Sequence, residues 1–84
     1  MISNGDRLVR YSAVMIAIKG VGIRCIMSAR EAAVILGEQW PAESGRKNEI
    51  ALKACYSVIH GYVAPVICRR AFEAAAREAG FLLE

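Results

Sequence analysis

The chain has 84 residues, a net charge of +3 and a hydrophobic fraction of 56%. This length indicates one small domain with a thin core. The hydrophobic fraction exceeds the ~45–50% typical of a soluble domain, which suggests an additional buried surface such as a subunit contact. The basic residues are scattered, which argues against a nucleic-acid-binding face, and no segment approaches the ~20 apolar residues of a membrane span.

The alternation of apolar residues from residue 12 onward predicts a β-hairpin. Period-two alternation is typical of a strand, and the glycine-containing turn signal of residues 19–22 separates it from a second alternating run, residues 23–27. Residues 1–6 are polar and are expected to be loose. The predicted faces are Val14, Ile16 and Ile18 against Met15 and Ala17 in the first strand, and Ile23, Cys25 and Met27 against Arg24 and Ile26 in the second.

A capping box marks the change from strand to helix. Ser28 is expected to accept a hydrogen bond from the amide of Glu31, and the Glu31 carboxylate to reach back to the amide of Ser28. The first helix is therefore predicted from residue 29 to about residue 39, where Pro41 ends it. Its apolar stripe consists of Ala32, Ile35, Leu36 and Trp40.

Two further helices are predicted. The second begins near residues 46–48 and ends near Gly61, which suits a left-handed C-terminal cap. The third begins at Pro65 and ends at Gly80, after which residues 81–83 fold back. Their apolar stripes are Ala51, Ala54, Cys55 and Val58 in the second helix and Cys68, Ala71, Phe72, Ala75 and Ala79 in the third. The predicted fold is α+β, a single domain over residues 1–84 in which an N-terminal β-hairpin is followed by three α-helices packed on it (ββααα).

Several short residue groups follow one another in this chain in a recognisable order and spacing. They are Ser28 with Glu31-Ala32, Trp40-Pro41, Ala54-Cys55, Ala71-Phe72, Ala74-Ala75 and Glu78-Ala79-Gly80. Together they resemble a small family of bacterial domains found mostly in alpha-proteobacteria, the domain of unknown function 982. The resemblance implies no activity, because none is established for the family, and it carries no functional residues over to this chain.

The three cysteines, Cys25, Cys55 and Cys68, have neither the spacing of a disulfide framework nor that of a zinc site. We predict that Cys55 and Cys68 are buried, unreactive thiols on facing helices, and we keep a small thiol or redox protein as an alternative function. Reduced thiols favour a cytoplasmic location. Lys19 and Arg24 interrupt the one segment that resembles a signal peptide, so no processing is expected.

No catalytic group is apparent in the sequence. His60, the only histidine, is placed at the end of the second helix with no acid, base or nucleophile beside it in sequence. The glycines of residues 20–22 join two strands rather than opening a helix, so they do not predict a phosphate site. We therefore predict that the protein is not an enzyme and has no catalytic, cofactor-binding or metal-binding residues.

The hairpin indicates a protein that binds a second copy of itself. It is apolar on both faces, and three short helices can cover only one of them. We predict a homodimer through the face of Met15 and Ala17, with pairing of hairpin edges as another route to the dimer. Trp40 either anchors a partner or ligand or covers the core while its indole N–H donates to a carbonyl.

An alternative function is nucleic-acid binding by the second and third helices. Read as a helix-turn-helix, they would present Arg69, Arg70 and Arg77, with Lys53 as a further contact. Glu73 on the same face would repel phosphate, so this alternative is disfavoured. An unknown protein partner is also compatible with the sequence, whereas a membrane is not expected.

Overall fold

The structure, a computed structural model, describes residues 10–41 and 46–83. Its elements are β1 (Arg10–Ile18), β2 (Gly22–Ser28), α1 (residues 29–39), α2 (Lys47–Ile59) and α3 (Pro65–Ala79). Helix α1 is α-helical over Ala29–Val34 and continues as a π-helix over Ile35–Gln39. The α+β prediction of a hairpin followed by three helices is confirmed. The prediction for residues 1–6 lies outside the described residues.

The two strands form an antiparallel hairpin whose faces match the predicted alternation. Val14 pairs with Ile26 and Met15 with Cys25, and the register shifts between Arg10 and Val14. The turn is tight because Gly20 and Gly22 adopt φ of +85° and +102°, a region that glycine enters without steric cost. The buried face consists of Val14, Ile16, Ile18 and Ile26.

The segment after α3 returns to the outer edge of β1. Gly80 adopts φ +80° at the end of α3, and the amide of Phe81 donates to the carbonyl of Ala76 at 2.8 Å, which is the bonding of a Schellman cap. The chain then runs antiparallel to β1, where the amide of Leu83 donates to Met15 at 3.0 Å and the amide of Ala17 to Phe81 at 2.9 Å. The predicted fold-back is confirmed, and it covers part of the β1 edge.

An aromatic cluster joins the helices to this returning segment. The ring centroid of Trp40 lies 5.7 Å from that of Phe72 and 4.9 Å from that of Phe81, the latter in an edge-to-face arrangement. Phe72 has the largest fully buried side chain among the described residues. The predicted helical stripes are confirmed as the core, except that Ala54, Ala71 and Ala79 are only partly buried and Ala76 is buried without having been predicted.

Two glutamate carboxylates accept hydrogen bonds from backbone amides of other secondary-structure elements. The Oγ of Ser28 accepts from the amide of Glu31 at 3.2 Å, as predicted, but the Glu31 carboxylate accepts from the amide of Met27 at 2.7 Å and not from that of Ser28. Glu31 thereby binds both the first turn of α1 and the edge of β2. Helix α2 has no side-chain cap from Arg46, and the carboxylate of Glu78 on α3 accepts instead from the amide of Lys47 at 3.0 Å.

Replacing Ser28 with alanine is expected to destabilise the domain by about 0.5–2 kcal/mol, because the Glu31 amide at the start of α1 loses its acceptor. Urea unfolding followed by circular dichroism measures the change. Ser57→Ala, a serine in the interior of α2, is the matched control and should have a smaller effect. An unchanged unfolding midpoint for Ser28→Ala would show that this cap does not stabilise α1.

Candidate interaction surface

The face of the hairpin opposite the core is apolar and exposed. This outer face consists of Met15 and Ala17 on β1 and Ile23, Cys25 and Met27 on β2. Met15 is 39% exposed, Ile23 63% and Met27 48%, and Cys25 is an exposed free thiol. Solvent-facing strand residues are normally polar, whereas the outer face carries no charged side chain. An exposed apolar patch of this kind is typical of an interaction site.

The strand alternation explains how the outer face arises. Residues two apart point to the same side of a sheet, and the helices cover the side that carries Val14, Ile16 and Ile18. The structure therefore places Met15 and Ala17 on the side opposite the core, where Met15 is exposed and Ala17 is half-buried. The contributions of Ile23 and Met27 were not predicted as part of a site, although their alternation in the sequence was a sufficient signal.

Both edges of the hairpin are partly occupied. Residues 81–83 pair with β1 beside Met15 and Ala17. On the opposite edge, the amide of Met27 already donates to the Glu31 carboxylate. A second strand added at β2 would have to displace that carboxylate. The face of the hairpin is therefore a better candidate for contact with a partner than its edges.

Trp40 does not belong to the interaction surface. Only 9% of the residue is exposed, and its ring contacts Phe72 and Phe81 inside the core. The prediction that Trp40 could anchor a partner or ligand at the surface is wrong, because the indole completes the aromatic cluster. Among the described residues its buried Nε1 has no hydrogen-bond partner, so the predicted bond to a carbonyl is not found there.

The basic residues predicted as possible nucleic-acid contacts are divided between surfaces. Lys53 lines a depression along α2 with Arg46, Glu49 and Ile50. Arg69 lines a different one, between α3 and β1, and its Nη1 lies 3.2 Å from the carboxylate of Glu73. Arg70 and Arg77 are exposed on α3. The ion pair offsets part of the positive charge that Arg69 would offer to a phosphate.

Cys55 and Cys68 are joined by a disulfide between α2 and α3, with their Cα atoms 4.8 Å apart. Both residues are fully buried, as predicted. The prediction that they are free thiols is wrong, because the facing apolar stripes bring two cysteines far apart in sequence to bonding distance. His60 is exposed at the end of α2, next to the ring of Tyr62.

A second surface feature is a hollow of about 410 Å³ between α1 and α2. Its lining consists of Arg30, Ala33, Val34, Gly37 and Glu38 on α1 and Tyr56 and Ile59 on α2. Val34 and Tyr56 are each half exposed. This hollow was not predicted from the sequence, where its only signal is the pair of small residues four apart, Ala33 and Gly37.

Across residues 10–41 and 46–83, no group of His, Cys, Asp or Glu side chains is arranged to hold a metal ion. In the same ranges no helix has the length and apolar character required to cross a membrane.

The chain matches the model of one protein family over most of its length. The model of the family described as "Protein of unknown function (DUF982)" matches residues 12–83. The chain belongs to this family. Among solved structures, it is similar to the NMR structure of Agrobacterium tumefaciens protein Atu1219, with 34% identity and a TM-score of 0.75 over 94% of this chain and 79% of that one. No curated protein matches the chain significantly.

The residues that carry the resemblance to DUF982 have structural roles in this chain. Ser28 caps α1, the Glu31 carboxylate caps the edge of β2, Glu78 caps α2, and Gly80 provides the left-handed turn after α3. Trp40 and Phe72 form the aromatic cluster. In this chain these residues stabilise the DUF982 fold.

Proposed function

We propose that this DUF982 protein is a small non-catalytic interaction module that acts as a homodimer through its outer face. The observation that supports the proposal is the exposure of Met15, Ile23 and Met27 on the solvent side of both strands. Burying such apolar side chains against a partner stabilises the complex by about 25 cal/mol per Å² removed from water, although ordering and lost freedom offset part of that gain.

The proposed contact is two hairpins packed face to face. Two sheets pack about 10 Å apart with their inner side chains interdigitated, and a two-fold axis lets the same patch serve both subunits. Met15 and Cys25 are cross-strand neighbours near the centre of the outer face. No charged side chain has to be desolvated there, so the apolar gain is not opposed by buried charge.

The dimer is expected to be weak. A two-stranded face is smaller than the ~800 Å² that each partner buries in a standard interface. We therefore expect dissociation constants in the micromolar range or above, within the span found for interfaces of modest area.

Met15→Lys is expected to weaken the dimer by at least about tenfold, because a charged ammonium would be buried at the centre of the contact. Sedimentation equilibrium over micromolar to millimolar concentration measures the association.

Val66→Lys is the matched control for this variant. It introduces the same charge at an apolar residue of similar exposure, 42% against 39%, on α3. The control should associate like the wild type. A wild-type protein that sediments as a 9.1 kDa monomer throughout the range, or equal effects of the two lysines, would exclude this interface.

The cytoplasm is the proposed location. Exposed Cys25 is a free thiol, and such a thiol persists most readily in a reducing compartment. The Cys55–Cys68 disulfide is fully buried, so once formed it is shielded from thiol reductants and can persist in a reducing compartment. Cell fractionation followed by detection of the protein tests the location, and recovery outside the cytoplasm would contradict it.

A further inference from the structure

The hollow between α1 and α2 has the shape that receives a side chain from another helix. Four residues of its α1 wall, Arg30, Ala33, Val34 and Gly37, are spaced i, i+3, i+4 and i+7. In a regular α-helix four residues with this spacing form the hole into which a facing helix inserts a knob in knobs-into-holes packing. In this chain the helix is π-helical from Ile35 onward, and Gly37 still lines the same hollow as Arg30, Ala33 and Val34. Tyr56 and Ile59 close the side formed by α2. Here the hole is open to solvent.

Gly37 keeps the hollow open, although the backbone conformation at this position does not require glycine. Its φ is not positive, and a Cβ added there would meet nothing within 4 Å. A glycine inside a helix costs roughly 0.5–1 kcal/mol relative to alanine. The chain therefore carries a destabilising residue at a position where a larger one would fit. What Gly37 provides is room for a neighbouring side chain to approach the helix backbone.

The charges at the rim of the hollow are self-complementary. Arg30 and Glu38 lie at its two ends, eight residues apart, and Val34 lies midway between them with half of its surface exposed. If two copies of α1 pack antiparallel about a two-fold axis at Val34, each Arg30 lies opposite the Glu38 of the other copy. The same placement brings Val34 of each copy over the hole of the other.

We propose that the α1–α2 hollow is a second self-association surface, in which α1 packs antiparallel against α1 of another copy. Val34 is the apolar knob, Ala33 and Gly37 permit close approach, and two Arg30–Glu38 pairs fix the antiparallel orientation. None of these residues belongs to the outer face. A chain with two isologous surfaces can assemble beyond a dimer.

Charge reversal tests the pairing directly. The variants Arg30→Glu, Glu38→Arg and their combination are compared in the Met15→Lys background, where the outer face is disabled, by sedimentation at low salt. Concentrations up to about 0.5 mM are needed because small interfaces are weak. Each single reversal should weaken association by about tenfold, since two attractive contacts become repulsive, and the double reversal should restore it to within about threefold.

Two further variants separate this packing from a general charge effect. Glu49→Arg with Lys53→Glu exchanges charges elsewhere on the protein and should leave association unchanged. Gly37→Leu should fill the hollow, reducing association at least tenfold while the thermal midpoint stays equal or rises, because leucine favours a helix more than glycine does.

The outcomes distinguish the two surfaces. If the wild type associates but Met15→Lys alone is monomeric at every concentration, the second surface is excluded while the outer-face dimer stands. If Met15→Lys associates like the wild type and Arg30→Glu does not associate, the second surface stands and the outer-face dimer fails. Single reversals without effect, or a double reversal that fails to restore association, would overturn the proposed antiparallel pairing.

Discussion

Replacing Phe72 with alanine is expected to destabilise the domain by about 3–5 kcal/mol, the cost of removing a large buried aromatic side chain and leaving a cavity. Phe72 is fully buried, and its ring contacts Trp40, which in turn contacts Phe81. The loss therefore reaches α1, α3 and the segment that covers β1. A domain of this length holds on the order of 5–10 kcal/mol in total, so much of its stability depends on this one ring.

Urea unfolding followed by tryptophan fluorescence measures the effect, because Trp40 is the only tryptophan and reports the cluster directly. Val66→Ala, a half-exposed apolar residue on the same helix, is the control and should stay within about 0.5 kcal/mol of the wild type. A Phe72→Ala protein as stable as this control would show that the cluster is not the centre of the core.

Reduction of the Cys55–Cys68 disulfide is expected to lower the free energy of unfolding by about 3 kcal/mol. The bond closes a loop with a sequence separation of 13, and loops of this size lose about that much chain entropy in the unfolded state when they are cross-linked. Parallel urea titrations with and without a reductant measure the difference. Without reductant, one thiol per chain, Cys25, should react with an alkylating reagent, in urea as well as in buffer.

Cys25→Ser provides the control for this experiment. It removes the only free cysteine and leaves the bond, so the reductant should destabilise the variant as much as the wild type. With reductant and urea together, all three cysteines of the wild type should be labelled. Three reactive thiols in urea alone would contradict the disulfide and restore the sequence-based interpretation of two buried thiols.

The local structure of this chain was predictable because clear sequence signals mark where its helices and strands begin and end. Period-two alternation around Val14, the cap at Ser28, Pro41 and the glycines at 61 and 80 mark the ends of the elements, and each acts over only a few residues. The same alternation placed Met15 and Ala17 on the exposed side of the hairpin. These features depend on residues that are close together in the sequence, so one sequence is enough to reveal them.

What the sequence did not reveal depends on residues far apart in the chain. The Cys55–Cys68 bond and the Glu78 cap on α2 arise only when two helices pack at a particular angle and register. The burial of Trp40 follows from contacts with α3 and with the segment after it. The α1–α2 hollow likewise requires two helices to lie side by side, since neither alone has a distinctive pattern.

The capping by Glu31 has a consequence for the behaviour of the protein at high concentration. A strand edge with unpaired amides is a template on which strands of other molecules add, and repeated addition leads to cross-β fibres. Here residues 81–83 cover part of one edge, and the Glu31 carboxylate occupies the Met27 amide on the other. Growth of a continuous sheet from molecule to molecule is thereby obstructed at both edges. The hairpin can present an apolar face to a partner while polymerisation through its backbone is held back.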